Sequence, residues 1–297
     1  MLSRSLGQPR DPAVPLGVVY NTSMARADAA LALAALYAAS SRREARVNGV
    51  CITGSGFDAA VFCDIVARFY TGTNRAPSSN AALPVGFPAD AATAPNPAVV
   101  EAAVKRTRPD GQPQYVRTIQ RLTDTAAPDA LLRNAVTFSA EAVVVLSAPA
   151  TWLARSLALA GTAAHYRQHV KRIVVVESDD FDRDAPSAKA LFASLPFAAV
   201  SVGREVGRAV TVPRDRVRTA LSWSTANPIA DAIDAAADSE IALLDVAALH
   251  YALYPNDGFF TVEGGRLAVD GAKRGACVDA LVTFATARPP SAPSRTG

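Results

Sequence analysis

The chain has 297 residues, of which 50% are hydrophobic and 19% are charged. A chain of this length and apolar content can bury a sizeable core, in one large domain or two small ones. Its net charge of +3 comes from scattered basic residues, with no Lys/Arg run longer than two residues. This distribution argues against a nucleic-acid-binding surface, and the lack of an uninterrupted apolar run of about 18 residues argues against a membrane span.

Short β-branched runs alternate with longer helical runs along the chain. In chain order, the pattern predicts strand 16–20, helix 28–41, strand 47–53, helix 57–70, strand 83–87, a short helix 99–106, helix 128–136, strand 140–148, helix 151–161, strand 171–178, helix 187–194, strand 197–203, a helical region 214–237, helix 243–253 and a Gly-Gly hairpin over 259–271. This alternation implies right-handed crossovers between parallel strands. We therefore predict one α/β domain over residues 16–286, with a mainly parallel, Rossmann-like sheet flanked by helices.

The cysteines and the chain ends bear on location. Cys51, Cys63 and Cys277 lack metal-site spacing and lie in apolar sequence, so we interpret them as small core residues. Their odd, low number is typical of a reducing compartment, and the N-terminus lacks the apolar core of a signal peptide. We expect a cytoplasmic protein with a flexible tail over 1–15 and a disordered tail over 287–297.

The turns that follow the predicted strands are the candidate functional segments, because ligands of such sheets bind at the carboxyl ends of the strands. These turns are 21–28, 54–57, 148–151 and 177–184. The first has a single carboxylate, Asp28, and no glycine. The last begins with four carboxylates within residues 177–182. We interpret that acidic turn either as a solvated charged loop or as a site that recruits a metal or a cationic ligand.

Six segments carry a family resemblance through their order and spacing. Asn21 to Asp28 follows a strand and precedes an Ala/Leu helix, and Gly54-Ser55 follows the second strand. The other segments are SAPATWLA, DFDRDAPSAK, LDVAALHYALYP, and the series Val262-Glu263, Arg274-Gly275, Val278-Asp279. Over roughly residues 16–280 the chain resembles the inosine-uridine-preferring nucleoside hydrolases. The resemblance implies their α/β fold, hydrolysis of N-glycosyl bonds in ribonucleosides, a bound calcium ion, a nucleoside-like ligand and a homo-oligomer.

The resemblance also implies a metal site. Asp28 and Asp245 fall on calcium-ligand aspartates, and Thr151 falls on a residue that offers its backbone carbonyl. Calcium takes six to eight oxygen ligands and would orient both a water molecule and the sugar diol. Each residue also has a simpler interpretation. Asp28 would favour the positive end of a helix dipole, whereas Thr151 and Asp245 would cap the helices that follow them.

Other family positions are changed in this chain. The water-activating aspartate falls on Ser23, whose hydroxyl cannot act as a base near neutral pH, and a histidine position falls on Leu244. The predicted substrate-binding residues are Asn21, Ala27, Ser55 and Asp180. Two hypotheses follow: an N-glycosyl hydrolase of doubtful activity, or a non-catalytic protein that binds a nucleoside or another small polar ligand. A third is an enzyme with altered chemistry that uses the acids of 177–182.

Three further features have a functional and a structural interpretation. His165 and His169 have the spacing of a zinc pair on a helix, or are solvated surface residues. His250 lies on an apolar helical face and is predicted to pack in the core. The Gly-Ser-Gly turn at 54–56 would cradle an anion or simply form a tight turn.

Overall fold

The computed structural model describes residues 15–72, 85–137 and 139–290. The strands are β1 (Leu16–Thr22), β2 (Ala45–Ile52), β3 (Val85–Gly86), β4 (Ala142–Ser147), β5 (Val170–Val176), β6 (Val200–Val202), β7 (Thr211–Pro213), β8 (Glu240–Ala242), β9 (Phe260–Glu263) and β10 (Arg266–Val269). The α-helices are α1 (Ala27–Ser41), α2 (Asp58–Thr71), α3 (Ala98–Val104), α4 (Pro128–Thr137), α5 (Thr151–Ala158), α6 (Thr162–His169), α7 (Asp179–Asp182), α8 (Ala185–Ser194), α9 (Arg204–Ala209), α10 (Arg214–Ala220), α11 (Pro228–Asp234), α12 (Leu244–Leu253) and α13 (Arg274–Ala285). Of the predicted tails, 1–15 and 287–297, residues 1–14 and 291–297 lie outside the described residues, as does the start of the predicted strand at 83–84.

One sheet organises the molecule, with strand order β3-β2-β1-β4-β5-β6-β10-β9. Its neighbouring strands pair in parallel, except for the antiparallel pair β9 and β10. The chain winds outward in both directions from β1 and β4, so the turn after β1 lies at a topological switch point. The single, mainly parallel α/β domain predicted from the sequence is confirmed.

The β9–β10 hairpin is closed by the predicted Gly-Gly turn. Gly264 and Gly265 have φ values of +56° and +81°. Two successive left-handed residues are the requirement of the tightest hairpin turns, and glycine adopts them without steric strain. β10 then pairs with β6, which attaches the hairpin to the parallel sheet.

Both faces of the sheet are covered, which explains why the central strands are nearly continuously apolar. On β4, Val143 and Val145 pack into one hydrophobic core, whereas Val144 and Leu146 pack into the other. Alternate residues of a strand point to opposite faces, so a strand between two cores needs apolar side chains throughout.

Helix α1 is enclosed by protein on all sides. Every residue from Ala27 to Ala39 is buried, and the helix packs against α2, α11, α12 and α13. A helix that is apolar around its whole circumference is typically buried in this way. The enclosure fixes the N-terminus of α1, and with it Asp28, at the carboxyl edge of the sheet.

Two predicted helical stretches have different bounds in the structure. The helix predicted over 151–161 ends three residues early, at Ala158, and Gly161 lies immediately before α6 with a φ of +80°. The prediction that this helix ends at Gly161 is therefore wrong. The region 214–237 forms α10 and α11, and the Asn227 side chain caps the second of these helices. The short antiparallel pair of β7 and β8 is not evident in the sequence pattern.

The cysteines and His250 fit the structural roles predicted for them. All three cysteines are free and buried, as predicted for core residues. His250 is buried among aromatic rings, and this burial lowers its pKa. Among the described residues, no group of three or more His, Cys, Asp or Glu side chains is arranged to hold a metal ion. Within the same ranges, no helix has the length and apolar character that crossing a membrane requires.

Candidate functional site

The turn after β1 is held in shape by its own side chains. The Thr22 hydroxyl accepts a hydrogen bond from Met24 N at 3.1 Å, and the Ser23 hydroxyl accepts one from Ala25 N at 3.2 Å. Met24 is buried. Its backbone adopts the left-handed conformation with a φ of +53°, which is uncommon for a residue other than glycine. The turn ends at Arg26, an extended residue that immediately precedes α1.

The Arg26 guanidinium joins three aspartates from distant parts of the chain. Its Nε lies 3.0 Å from Asp28 Oδ1, and its Nη1 lies 3.6 Å from Asp180 Oδ2. Its Nη2 donates to Asp245 Oδ1 and lies 3.4 Å from Ser147 Oγ. The three aspartate side chains are at most 5% exposed, whereas that of Arg26 is 34% exposed. Arg26 is therefore the shared counter-charge of Asp28, Asp180 and Asp245. We call these four residues the Arg26 cluster.

Asp245, in the first turn of α12, accepts more hydrogen bonds than the other two aspartates of the cluster. The Tyr20 hydroxyl donates to its Oδ2 at 2.7 Å, and the Ser147 hydroxyl donates to its Oδ1 at 2.7 Å. Its backbone N–H donates to Asp28 Oδ2 at 2.9 Å, so the loop after β1 and the late helix meet directly. Burial and the charge of Asp28 raise the pKa of Asp245 to about 7, against the opposing effect of Arg26, Ser147 and Tyr20.

This raised pKa predicts a pH-dependent stability. Between about pH 4 and 7 the folded protein binds more protons at Asp245 than the unfolded chain, in which aspartate titrates near 3.9. The stabilising contribution is therefore greatest at low pH, and it falls as pH rises through about 7, with a slope approaching about 1.4 kcal/mol per pH unit. We expect Asp245→Asn to remove this slope, measured as the free energy of unfolding in urea.

The free energy of unfolding of the wild type is compared with that of each variant from about pH 4.5 to about 8. Contributions from groups that titrate identically in both proteins then cancel. The wild type should lose stability relative to Asp245→Asn as pH rises. Asp279→Asn is the control, because the Asp279 side chain is 71% exposed and paired with Arg216 at the surface. Parallel curves for the wild type and Asp245→Asn would contradict the assignment.

Asp180 enters the cluster from the acidic turn. Its Oδ2 accepts a hydrogen bond from the Ser23 hydroxyl at 2.7 Å, and its Oδ1 lies 3.1 Å from Arg183 Nη2. The short helix α7 directs Asp180 inward, and Ser178 caps that helix by accepting from Phe181 N. Ser23, the residue at the predicted base position, therefore donates a hydrogen bond to the Asp180 carboxylate.

The other acids of the turn lie at the surface in ion pairs. Asp179 and Asp182 contact Arg204 at 2.5 and 2.9 Å, and Glu177 contacts an arginine of β10 at 2.9 Å. The interpretation as a solvated charged loop is correct for these three residues. It is wrong for Asp180, which is 4% exposed.

Of the remaining predicted substrate-binding residues, two lie behind the turn and one faces open space. The Ser55 hydroxyl donates to Ser23 O at 2.5 Å, and the Thr53 hydroxyl donates to Asn21 Oδ1 at 3.0 Å. Asn21 Nδ2 is buried without a hydrogen-bond partner among the described residues. Ala27 lines the cavity beside Arg26. Asn21 and Ser55 thus form hydrogen bonds within the protein that help to hold the turn after β1 in place.

Backbone N–H groups at the end of the Gly-Ser-Gly turn and just after it are engaged within the protein. Gly56 N donates to Pro95 O at 3.1 Å, and Asp58 N donates to Asn96 Oδ1 at 3.0 Å. A Cβ atom at Gly56 would lie 2.3 Å from Ala94 O, so the close approach of this segment requires glycine. These contacts favour the tight-turn interpretation over the anion-binding one.

Thr151 does not contact the Arg26 cluster through its side chain. Its hydroxyl donates to Asp184 Oδ2 at 2.5 Å. The residue before α5 is Ala150, and the residue before α12 is Leu243; neither helix has a side-chain N-cap. The N-cap interpretations of Thr151 and Asp245 are therefore wrong. Asp28, in contrast, lies in the first turn of α1, so the helix dipole and Arg26 both favour its charge.

The residues of the cluster do not fit a calcium ion. Calcium needs six to eight oxygen ligands around an open position. Here the space between Asp28, Asp180 and Asp245 is taken by a guanidinium that carries its own positive charge. A divalent ion at the same place would meet this cation at contact distance, which is strongly unfavourable in a buried site.

A cavity of about 690 Å³ lies against the Arg26 cluster. Arg26, Asp28 and Asp180 form part of its wall, and residues of α3, α9, β8 and the segment before β8 form much of the rest. Three further arginines line it: Arg183, Arg204 and Arg208. Its volume is within the range of roughly 300–1,000 Å³ that is typical of small-molecule sites.

Solved structures with the same fold are nucleoside hydrolases and related proteins. A plant nucleoside hydrolase matches with a TM-score of 0.61 and 16% identity, covering 92% of this chain and 99% of that one. An inosine-uridine-preferring nucleoside hydrolase from Bacillus anthracis matches with a TM-score of 0.61 and 13% identity, covering 90% and 99%. The type III effector protein XopQ, complexed with adenosine diphosphate ribose, matches with a TM-score of 0.60 and 15% identity, covering 93% and 94%.

These likenesses establish the nucleoside hydrolase fold for this chain, as the sequence resemblance implied. No protein-family model matches the sequence, and a search of curated proteins finds no match. The fold is thus retained, while the residues at the carboxyl edge of the sheet form an arginine-centred cluster.

Proposed function

We propose that this protein binds a nucleoside-like small molecule in the cavity beside Arg26 and leaves its N-glycosyl bond intact. The nucleoside hydrolase fold and the position of the cavity at the carboxyl edge of the sheet support the ligand class. The complex of XopQ with adenosine diphosphate ribose supports a ribosyl ligand, with or without phosphate. The absence of hydrolysis is supported by the Arg26 cluster itself.

The observation that carries this proposal is the engagement of every carboxylate oxygen in the cluster. Asp28 accepts from Arg26 and from a backbone N–H. Asp180 contacts the Ser23 hydroxyl through one oxygen and Arg183 through the other. Asp245 is likewise held at both oxygens. A general base must reach the proton that it abstracts within hydrogen-bond distance, and oxygens that already contact protein donors are less available to a water molecule at the sugar.

Ser23 adds to the same conclusion. Its hydroxyl donates to Asp180 and has no proton-accepting form near neutral pH that could replace a carboxylate base. General acid–base catalysis contributes roughly 10²–10⁴-fold to the rate of such reactions, so its loss leaves binding without efficient turnover. The partly exposed guanidinium of Arg26 and the arginines of the cavity wall remain available as donors to ligand hydroxyl or phosphate oxygens.

The test measures binding and turnover separately on one protein sample. Inosine, uridine, adenosine and ADP-ribose are added in a thermal-unfolding assay, and chromatography then follows the release of free base or ribose over hours. We expect at least one of these compounds to raise Tm by several degrees at saturation. We also expect no release above the rate without protein.

A matched pair of substitutions locates the binding site. Ala98→Trp places a large ring in the cavity wall and should abolish the ligand-induced rise in Tm. Ala193→Trp is the control, since Ala193 is an exposed helical alanine that does not line the cavity. An unchanged response of Ala98→Trp would place binding elsewhere. Release of base that Asp180→Asn abolishes would identify a hydrolase instead.

We also infer a cytoplasmic and homo-oligomeric protein. Three free, buried cysteines support a reducing compartment. The homo-oligomer rests on the resemblance to the nucleoside hydrolases, and light scattering coupled to size-exclusion chromatography measures it directly. A mass equal to that of one chain would contradict it.

A further inference from the structure

We propose that the Arg26 guanidinium is a built-in cation that takes the place of the divalent ion implied at this edge of the fold, and that it excludes such an ion. The cluster is then held together without any bound metal. In the absence of the Arg26 side chain, the same oxygen atoms would form a cation site.

Geometry is the first support for this proposal. Four oxygen atoms contact the guanidinium: Asp28 Oδ1, Asp180 Oδ2, Asp245 Oδ1 and Ser147 Oγ. They belong to the start of α1, to α7, to the start of α12 and to the end of β4. Each of them contacts one nitrogen of the planar group, so the four oxygens surround the guanidinium and would border an open space without it. Carboxylate and hydroxyl oxygens are the ligands that a hard cation prefers.

The backbone is the second support, because it delivers the guanidinium to this point. Arg26 is extended and lies two residues before Asp28, whose carboxylate fixes Nε of the side chain. The two terminal nitrogens of Arg26 then reach Asp180 on α7 and Asp245 on α12. A guanidinium can hold several carboxylates at once because its donors are arranged in a rigid plane, whereas a lysine ammonium is a compact point charge.

Charge is the third support. The three buried carboxylates are balanced by Arg26 at their centre and by Arg183, which contacts the outer oxygen of Asp180. Even with all three carboxylates ionised, this leaves a single net negative charge in the cluster, too little to draw a divalent ion away from water. Replacing Arg26 by a neutral residue restores a larger negative charge around an open space, which is the condition that favours calcium.

The experiment compares the wild type with Arg26→Ala, using Ca²⁺ as the ion and Tb³⁺ luminescence as a second readout. We expect that neither millimolar Ca²⁺ nor EDTA shifts the Tm of the wild type. For Arg26→Ala, Ca²⁺ should raise Tm by roughly 5 °C when its concentration is about a hundredfold above the dissociation constant. Tb³⁺ luminescence, sensitised by the neighbouring Tyr20, should appear only in the variant.

Arg204→Ala is the control variant, because it frees two exposed carboxylates, Asp179 and Asp182, in place of buried ones. It should gain no response to Ca²⁺. A Ca²⁺-dependent rise in the Tm of the wild type would overturn the proposal, as would a folded Arg26→Ala without affinity for Ca²⁺ or Tb³⁺. If Arg26→Ala does not fold in EDTA, refolding on addition of Ca²⁺ supports the proposal, and the wild-type measurement still tests it. Nucleoside binding is measured separately, so its failure would leave this result unaffected.

Discussion

Arg26→Met is expected to lower the free energy of unfolding by about 3–5 kcal/mol, the usual effect of removing one partner from a buried ion pair. Methionine keeps much of the side-chain volume, so the change isolates the loss of charge. The three aspartate side chains of the cluster, at most 5% exposed, would then lack their shared counter-ion. Urea denaturation above pH 8 measures the effect, because the carboxylates are most fully ionised there.

The control for this prediction is Arg204→Met. Arg204 also contacts two aspartates, but both of them are largely exposed, and pairs of this kind contribute about 0–1 kcal/mol. The two variants thus differ chiefly in burial. Equal losses of stability in Arg26→Met and Arg204→Met would show that the cluster does not depend on its central cation.

Asp64→Ala is expected to destabilise the protein by a similar amount, about 3–5 kcal/mol. Asp64 lies on α2 and is 1% exposed. Its carboxylate accepts from Arg68 Nε at 2.9 Å, and from the backbone N–H groups of Thr118 and Ile119. Alanine would leave a nearly buried guanidinium and two backbone donors without their acceptor, and each such group carries a desolvation penalty.

Two measurements distinguish this effect from that of an ordinary helix pair. Glu101→Ala breaks an i,i+4 pair with Lys105 on the surface of α3 and should lower stability far less than Asp64→Ala, because exposed pairs contribute little. Hydrogen exchange should show faster exchange of the Thr118 and Ile119 amides in Asp64→Ala, because their acceptor is lost. If those amides stay protected, Asp64 does not anchor this segment.

The sequence pattern predicts the fold well because its signals are local. Strand 140–148 is nearly continuously apolar since both of its faces meet a core, and helix 28–41 is rich in Ala and Leu since it is enclosed on all sides. The boundary between α5 and α6 is harder to predict. Glycine in the left-handed region ends a helix and also begins a new turn, and the sequence alone does not distinguish these outcomes.

The site is less accessible to sequence reasoning because most of its contacts join residues between 98 and 225 positions apart. The resemblance identifies Asp28 and Asp245, which the structure brings into direct contact. Arg26 is missed, since an arginine in a surface turn is normally solvated. A signal was present nevertheless: Arg26 is the only basic residue of the 21–28 turn, and several acids converge on that edge of the sheet.

Tyr20 and Ser147 are missed for a related reason. Both lie in apolar strands, where a tyrosine or a serine is usually interpreted as filling the core. A buried tyrosine hydroxyl needs a partner, however, and a strand residue at the carboxyl edge can find one on a helix that follows much later. Here that partner is Asp245 for both side chains.

The position of the β9–β10 hairpin limits how molecules of this protein can associate. β9 is the outermost strand at one end of the sheet, is only four residues long, and ends at the exposed Glu263. A short, charged edge strand offers few free backbone groups to a strand of another molecule. Self-association at this border by continuing the sheet from one copy into the next is therefore disfavoured, and subunit contacts through helical faces are the better expectation.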